Sequence, residues 1–268
     1  MLRWLAALFA LGSCVRRPLI VVKGSDTVLP LSQMFAESYL EQSQAPLISV
    51  TGGGSGIGIA ALMNGDADIA MSSRPLKLAE QLRLTQKGIR PVEDTIAWDV
   101  LAICVHPSNP VQRLTRQQIA DIYAGKIRNW KEIGGDDVPI LPYSRESSSG
   151  TFEFFRDHIL QGKDFAQHVR FIPATGMLVQ AIAQTPGSIG YVGIAYVNSS
   201  IKVVAVGHEG DTNYYYPARS QAEMTHYPIA RPLYYYYDLR KQVDLAPFLR
   251  FVHSERGRKI VEEVGYVP

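Results

Sequence analysis

Short apolar runs alternate along the chain with stretches of helical spacing. Residues 19–23, Leu-Ile-Val-Val-Lys, predict a buried strand ending at Gly24-Ser25-Asp26-Thr27, and residues 31–42 then carry the apolar spacing of an amphipathic helix. A second strand is expected at 47–51. It runs into Gly52-Gly53-Gly54-Ser55-Gly56 and a helical stretch at 57–64. A third, at 68–71, stops at Ser72-Ser73-Arg74-Pro75, and the apolar run 95–105 ends in the turn-rich His106-Pro107-Ser108-Asn109-Pro110. Helices are expected over 115–123, with Thr115 as N-cap, and over 152–160 and 176–184. Strands are expected at 189–192 and 231–237, and one amphipathic helix over 247–264.

Strands alternating with helices indicate an α/β architecture with a largely parallel sheet. The chain shows no internal repeat and no long linker. Two halves rich in strand–helix units, then a late strand and a terminal helix, predict two lobes joined by extended crossings near 98–104 and 233–237. The expected division is 18–97 with 238–268 in one lobe and 98–237 in the other. The run Tyr234-Tyr235-Tyr236-Tyr237 is read as sheet packing rather than a ligand-stacking surface.

The first fourteen residues, MLRWLAALFALGSC, differ from everything after them. A single early arginine, a short apolar stretch and small residues before a cysteine describe an export signal, too short to span a bilayer. The LGSC end resembles a bacterial lipoprotein signal, which makes residues 1–13 a signal peptide and Cys14 the lipid-bearing residue; a simple signal cut elsewhere is the alternative. The other cysteine, Cys104, lies in an apolar run and is expected to be an inert core residue, so no disulfide contributes.

Composition narrows the possible partners. Hydrophobic residues make up 46% of the 268-residue chain and charged residues 19%, which excludes a disordered chain. Lys plus Arg number 27 against 25 Asp plus Glu, a net +2, too balanced for a nucleic-acid binder with a broad basic surface. Removing residues 1–13 takes away Arg3 alone among charged residues and lowers that to +1. A charged ligand must therefore be attracted by local geometry.

That geometry is suggested by the turns. In open α/β sheets, ligands sit beyond the carboxyl ends of the strands, where helix N-termini present unpaired N–H groups and partial positive charge. Turns 24–27, 52–56 and 147–151 are rich in Gly, Ser and Thr, and Ser72-Ser73-Arg74 adds two hydroxyls and a cation. Any one of these alone is an ordinary helix cap. Four at strand ends, with Arg145 beside the third able to clamp an oxyanion or to pair with a carboxylate, predict a single anion site. No G-x-x-x-x-G-K-[ST], G-x-G-x-x-G or G-x-S-x-G spacing occurs, so a P-loop, a dinucleotide fingerprint and a nucleophile elbow lack support. Neither the six histidines nor the carboxylates have metal-site spacing, so no catalytic residue, cofactor or metal is expected.

At these residues the chain resembles the PstS-like phosphate-binding proteins of bacterial phosphate ABC importers. The matching stretches are KGSDTVLPLSQ (23–33), VTGGGSGIGIAAL (50–62), GDADIAMSSRPL (65–76), LTRQQIADIYAGKIRNWKEIGG (114–135), SRESSSGTFEFF (144–155), PGSIGYVG (186–193) and YPIARPLYYYY (227–237). The resemblance implies a two-lobed periplasmic-binding-protein fold of type II, each lobe a mixed sheet flanked by helices, closing on one inorganic phosphate. The family's contacts fall on Ser25, Asp26, Thr27 and the Val28 backbone, on Ser55 beside Gly54, on Ser72, Ser73 and Arg74, and on Arg145, Ser149, Gly150 and Thr151. Asp66, Asp68, Tyr123 and Trp130 are framework in this reading.

Many family members carry an aspartate where this chain has Ser73, which leaves Asp26 as the candidate acceptor of the phosphate proton. The implied protein is a non-catalytic monomer, periplasmic or on the cell surface. It would be anchored only through Cys14, with the importer's permease subunits as partners and no nucleic acid. The alternatives are another oxyanion (sulfate, molybdate, tungstate or a phosphonate) or a sensory or adhesive role.

Overall fold

The computed structural model describes residues 19–41, 46–208, 210 and 212–268; the expected signal peptide and Cys14 lie outside them. The first part of the chain forms β1 (Leu19–Gly24), α1 (Leu29–Leu40), β2 (Leu47–Thr51), α2 (Ser55–Asn64), β3 (Ile69–Ser72), α3 (Leu78–Gln86) and β4 (Pro91–Val105). There follow β5 (Arg113–Thr115), α4 (Arg116–Tyr123), β6 (Leu141–Arg145), α5 (Gly150–His158), β7 (Arg170–Ile172), α6 (Thr175–Gln184) and β8 (Ser188–Gly193). The remainder is β9 (Lys202–Val203), β10 (Ala205–Gly207), β11 (Tyr214–Tyr215), α7 (Gln221–Met224), β12 (Ala230–Asp238), α8 (Gln242–Val252) and α9 (Glu255–Val264).

The main sheet runs β2-β1-β3-β12-β4-β8-β6-β7, with β9 also paired to β4. Its two halves share one long strand. Residues 91–100 of β4 pair antiparallel with β12, which pairs in turn with β3 beside the parallel β1 and β2. Residues 101–105 of β4 instead pair antiparallel with β8, and β8, β6 and β7 are parallel. Each lobe therefore holds a mixed sheet, and the chain leaves the first at about Val100. It returns at Ile229–Ala230, where the Leu101 amide donates to the Ile229 carbonyl at 2.9 Å.

Two expectations shift. All of β12 belongs to the first sheet, so the four tyrosines lie inside that lobe and the return crossing precedes them at 229/230. They are 0–7% exposed, and the Tyr235 hydroxyl meets Ser32 Oγ at 2.6 Å, which fits a packing role. The single C-terminal helix is two, broken at His253-Ser254. Ser254 Oγ accepts from the Gly257 amide and starts α9, while a Cβ on Gly257 would sit 2.0 Å from the Val252 carbonyl oxygen. Both helices bury apolar residues against one core, so the spacing runs on through a break that only the cap reveals.

Helix α1 begins at Leu29, earlier than the apolar spacing suggested, because Pro30 suits a first turn. Thr115 caps α4 as expected, in a capping box with Gln118. Trp130 is buried and donates to the Gly187 carbonyl, while Tyr123 donates to the Tyr143 carbonyl. The second lobe is locked by aromatic contacts that aim α5. Phe155 stacks on Tyr191 with centroids 3.9 Å apart, and the Tyr191 hydroxyl meets Ser144 Oγ, so α5 is fixed to β6 and β8.

Candidate functional site

The turn after β1, the glycine-rich turn before α2 and the turn before α5 come together where the two lobes face each other. The Ser25 amide donates to the Met71 carbonyl at 3.0 Å and the Gly54 amide to Gly24 at 2.9 Å, which joins the first-lobe turns. The Gly56 amide then crosses to the second lobe, donating to the Ser148 carbonyl at 3.0 Å. This approach requires glycine. Gly54 has φ +104°, and a Cβ there would lie 2.5 Å from the Ser148 oxygen. A Cβ on Gly150 would lie 2.2 Å from Ser55 Oγ and 2.8 Å from Ser73 Oγ, so Ser55, Ser73 and Gly150 converge on one point.

Helices α2 and α5 begin at that convergence, and α1 begins just after Thr27. Their first amides lack intrahelical acceptors, and each N-terminus carries roughly half a positive charge. Ser149 caps α5, accepting from the Thr151 amide. Ser73 donates its amide to Ser55 Oγ at 3.1 Å. Thr27 Oγ1 and Thr151 Oγ1, from opposite lobes, are 2.9 Å apart.

Two cations stand among these donors, each with its own carboxylate. Arg145 is 2% exposed; its Nη2 lies 2.5 Å from Asp26 Oδ2 and also donates to the Pro173 carbonyl. Its Nε donates to Ile172 and its Nη1 to Thr175 Oγ1, so four of a guanidinium's five N–H groups have protein acceptors. Asp26 Oδ1 accepts from the Gly53 amide. Arg231, 1% exposed, pairs with the fully buried Asp99 at 2.9 Å, whose other oxygen accepts from the Ile194 amide. Burial pushes the Asp99 carboxyl above its usual range, while Arg231 and the amide oppose that rise. With each arginine charge matched by a carboxylate, the helix N-termini are left as the uncompensated positive potential, which suits an oxyanion.

Other expected contacts have different work. Arg74 is gripped by Glu80 through both Nη atoms, at 2.8 and 2.7 Å, and its Nε lies 2.5 Å from Glu153 Oε2. A cation neutralised by two carboxylates is a poor oxyanion clamp. Glu153 belongs to α5 and also meets Lys77 Nζ at 2.9 Å, so the cluster ties the lobes together at the rim of the cleft. Ser72 Oγ donates to the Arg74 carbonyl and accepts from its amide, shaping the turn. The Val28 amide donates to Ser25, and Asp26 is engaged by Arg145 rather than standing free as a proton acceptor.

Sequence reading missed Asp99, Arg231, Thr175, Glu153 and two supporting tyrosines. The Tyr196 hydroxyl donates to the Asp26 carbonyl and the Tyr266 hydroxyl to the Thr27 carbonyl, holding the first turn from both sides. Burial, with Asp26 nearby, raises the Tyr196 hydroxyl to about 12, so it remains a donor. A signal for one pair did exist. Asp99 is the single charge within 96–105 and Arg231 the single charge within 229–237. Lone opposite charges in two apolar β-runs invite pairing, and the two residues are direct cross-strand partners. Among the described residues, no group of three or more His, Cys, Asp or Glu is placed to hold a metal.

A family model described as the PBP superfamily domain matches residues 13–256. The phosphate-binding protein PstS of Pseudomonas aeruginosa is 32% identical over 262 residues, 91% of this chain and 81% of that protein. The chain belongs to the PBP superfamily, in its PstS-like family. This PstS-like chain is also 30% identical to the protein SphX of Synechococcus elongatus, over 94% of its own length and 78% of SphX. Among solved structures it is similar to a phosphate ABC transporter substrate-binding protein of Clostridium perfringens with bound phosphate. That match has TM-score 0.82 and 31% identity, and covers 93% of this chain and 98% of that one. An ABC-type phosphate transport receptor from Vibrio cholerae gives TM-score 0.73 at 31% identity, covering 93% and 99%. The two-lobed fold and the mixed sheets of this PstS-like chain agree with these relatives.

Proposed function

We propose that this chain is a non-catalytic extracytoplasmic receptor that binds inorganic phosphate between its lobes and presents it to the permease subunits of an ABC importer. The observation that carries the reading is the convergence of Ser55, Ser73 and Gly150 at the start of two helices, beside the Thr27–Thr151 hydroxyl pair. The ligand would be held by Thr27, Ser55, Ser73, Ser149, the Gly150 amide and the Thr151 hydroxyl, with the remaining Arg145 donor. Ser25, Asp26, Val28, Gly54, Ser72 and Arg74 shape the turns that present them. Such a site attracts an anion by helix ends and short hydrogen bonds, as a chain with net charge +2 requires. Closure of 19–100 with 230–268 onto the rest of the chain is the event an importer would read.

Export through residues 1–13 and a lipid anchor at Cys14, supported by the LGSC stretch, and a monomeric state complete the proposal. No helix among the described residues is long and apolar enough to cross a membrane. The test is calorimetric titration with phosphate, sulfate, molybdate, tungstate and a phosphonate. Saturable heat with phosphate at the lowest concentrations is expected. Tighter binding of another oxyanion would reassign the ligand, and heat with none would remove the reading.

A further inference from the structure

The Arg231–Asp99 pair lies where β12 and β4 meet, beneath two of the hydroxyls just described. Arg231 Nη2 donates to Asp99 Oδ2 at 2.9 Å, to Thr151 Oγ1 at 2.9 Å and to Thr27 Oγ1 at 3.4 Å. Phe154 covers the guanidinium, with the ring centroid 5.2 Å from Cζ. Nη1 is buried and has no hydrogen-bond partner in the protein. An unpaired buried donor destabilises the fold, so simple stability does not explain this arginine.

We infer that Arg231 is a positioning residue of the anion site, setting the direction of the Thr27 and Thr151 hydroxyl protons. The inference rests on the phosphate-binding reading above. Nη2 has two N–H groups, one directed at Asp99 and the other shared between the two threonines, and arginine only donates, so both threonine oxygens accept in these contacts. The two hydroxyls are themselves 2.9 Å apart, so one proton lies between them. Whichever threonine receives it has both lone pairs occupied, one by its neighbour and one by Arg231. Its own proton has no acceptor left in the trio and points outward. Arg231 thus turns two rotatable hydroxyls into one fixed donor for an oxyanion, with part of the ordering cost met before binding. Asp99 keeps the guanidinium compensated in a buried place and leaves the net field of the site unchanged.

The test compares wild type, Arg231→Lys, Thr151→Val and the double variant by phosphate calorimetry and thermal unfolding. Lysine retains the charge that Asp99 needs, but its side chain ends one bond short of Nη2, so an ammonium paired with Asp99 falls away from the two threonine oxygens. Arg231→Lys is therefore expected to unfold near the wild-type temperature while binding phosphate about tenfold more weakly. The double variant should bind no more weakly than Thr151→Val alone, because both changes remove the same directed donor. Wild-type affinity in Arg231→Lys, or losses that simply multiply in the double variant, would overturn the inference while leaving phosphate binding intact. If Arg231→Lys does not fold, Asp99→Asn with Arg231→Gln removes both charges together and is judged by the same criteria. No phosphate binding by the wild type would overturn the inference together with the proposed function.

Discussion

Asp26 and Arg145 come from different lobes and meet as an ion pair 2.5 Å apart, with the Arg145 side chain 2% exposed. The pair spans the cleft beside the anion site, so the groups that close the lobes and those that would hold the ligand share one network. Arg145 is thus a latch between the lobes, and under the proposed function a clamp on the ligand as well. Loss of either partner leaves the other charge buried and poorly compensated.

Arg145→Ala is expected to weaken phosphate binding on the order of 10- to 100-fold, the worth of a charge-assisted hydrogen bond. Part of that loss comes from Asp26, left as a bare carboxylate near an anion. Asp26→Asn in the Arg145→Ala background should recover some of it, giving a non-additive cycle in calorimetry. Unchanged affinity in Arg145→Ala would remove the clamp.

Gly150→Ala separates closure from folding. Gly150 does not have a positive φ, and alanine is the better helix former by up to about 1 kcal/mol. The ligand-free variant should therefore unfold at the wild-type temperature or slightly above. Its methyl would meet Ser55 Oγ at 2.2 Å only when the lobes close, so phosphate affinity should fall at least about tenfold. Normal binding by this variant would mean that the lobes need not approach this closely.

Glu153→Gln tests the rim cluster. Glu153 bridges Arg74 and Lys77 to α5, and Arg74 keeps Glu80 when Glu153 is neutralised, so the fold should survive. The closed state alone loses a contact, which lowers apparent affinity by the change in closed population, about tenfold for each 1.4 kcal/mol. X-ray scattering of the ligand-free variant should show a larger radius of gyration than wild type. Identical scattering and affinity would take the cluster out of closure.

His253 offers a pH test in a different part of the fold. Its Nε2 lies 2.7 Å from Asp94 Oδ1, and that hydrogen bond holds the imidazole above its ordinary value of 6.5, against partial burial. A raised folded value means that the stabilisation is fully present below 6.5 and is lost as pH rises through the folded value. Urea unfolding should show wild-type stability falling, as pH rises above 6.5 and through the folded value, more than in Asp94→Asn. The effect will be modest, because the histidine is half exposed. An NMR titration midpoint for His253 that is the same in both proteins would refute the assignment.

Much of this molecule was legible in its residues. Alternating strand and helix patterns located β1, β2, β3 and β8 and most of the helices, because apolar spacing records which face each element buries. Turns rich in glycine and hydroxyls marked the cleft, since a backbone approach as close as Gly54 to Ser148 excludes side chains. Other features left no local trace. The membership of β12 in the first sheet and the small sheet of β5, β10 and β11 depend on partners distant in the chain.

Charge is where the two levels part most clearly. Composition alone required that a charged ligand of this net +2 chain be attracted by local geometry, and the strand-end turns pointed to the place. Which arginines serve that site was decided by the tertiary structure. Arg74 looked available and is consumed by Glu80 and Glu153; Arg231 looked like strand packing and stands under Thr27 and Thr151. The physical reason is that a side chain's usable charge depends on what it is paired with at a few ångströms. Pairs such as Asp26–Arg145 and Asp99–Arg231 are assembled only when segments more than a hundred residues apart are brought together.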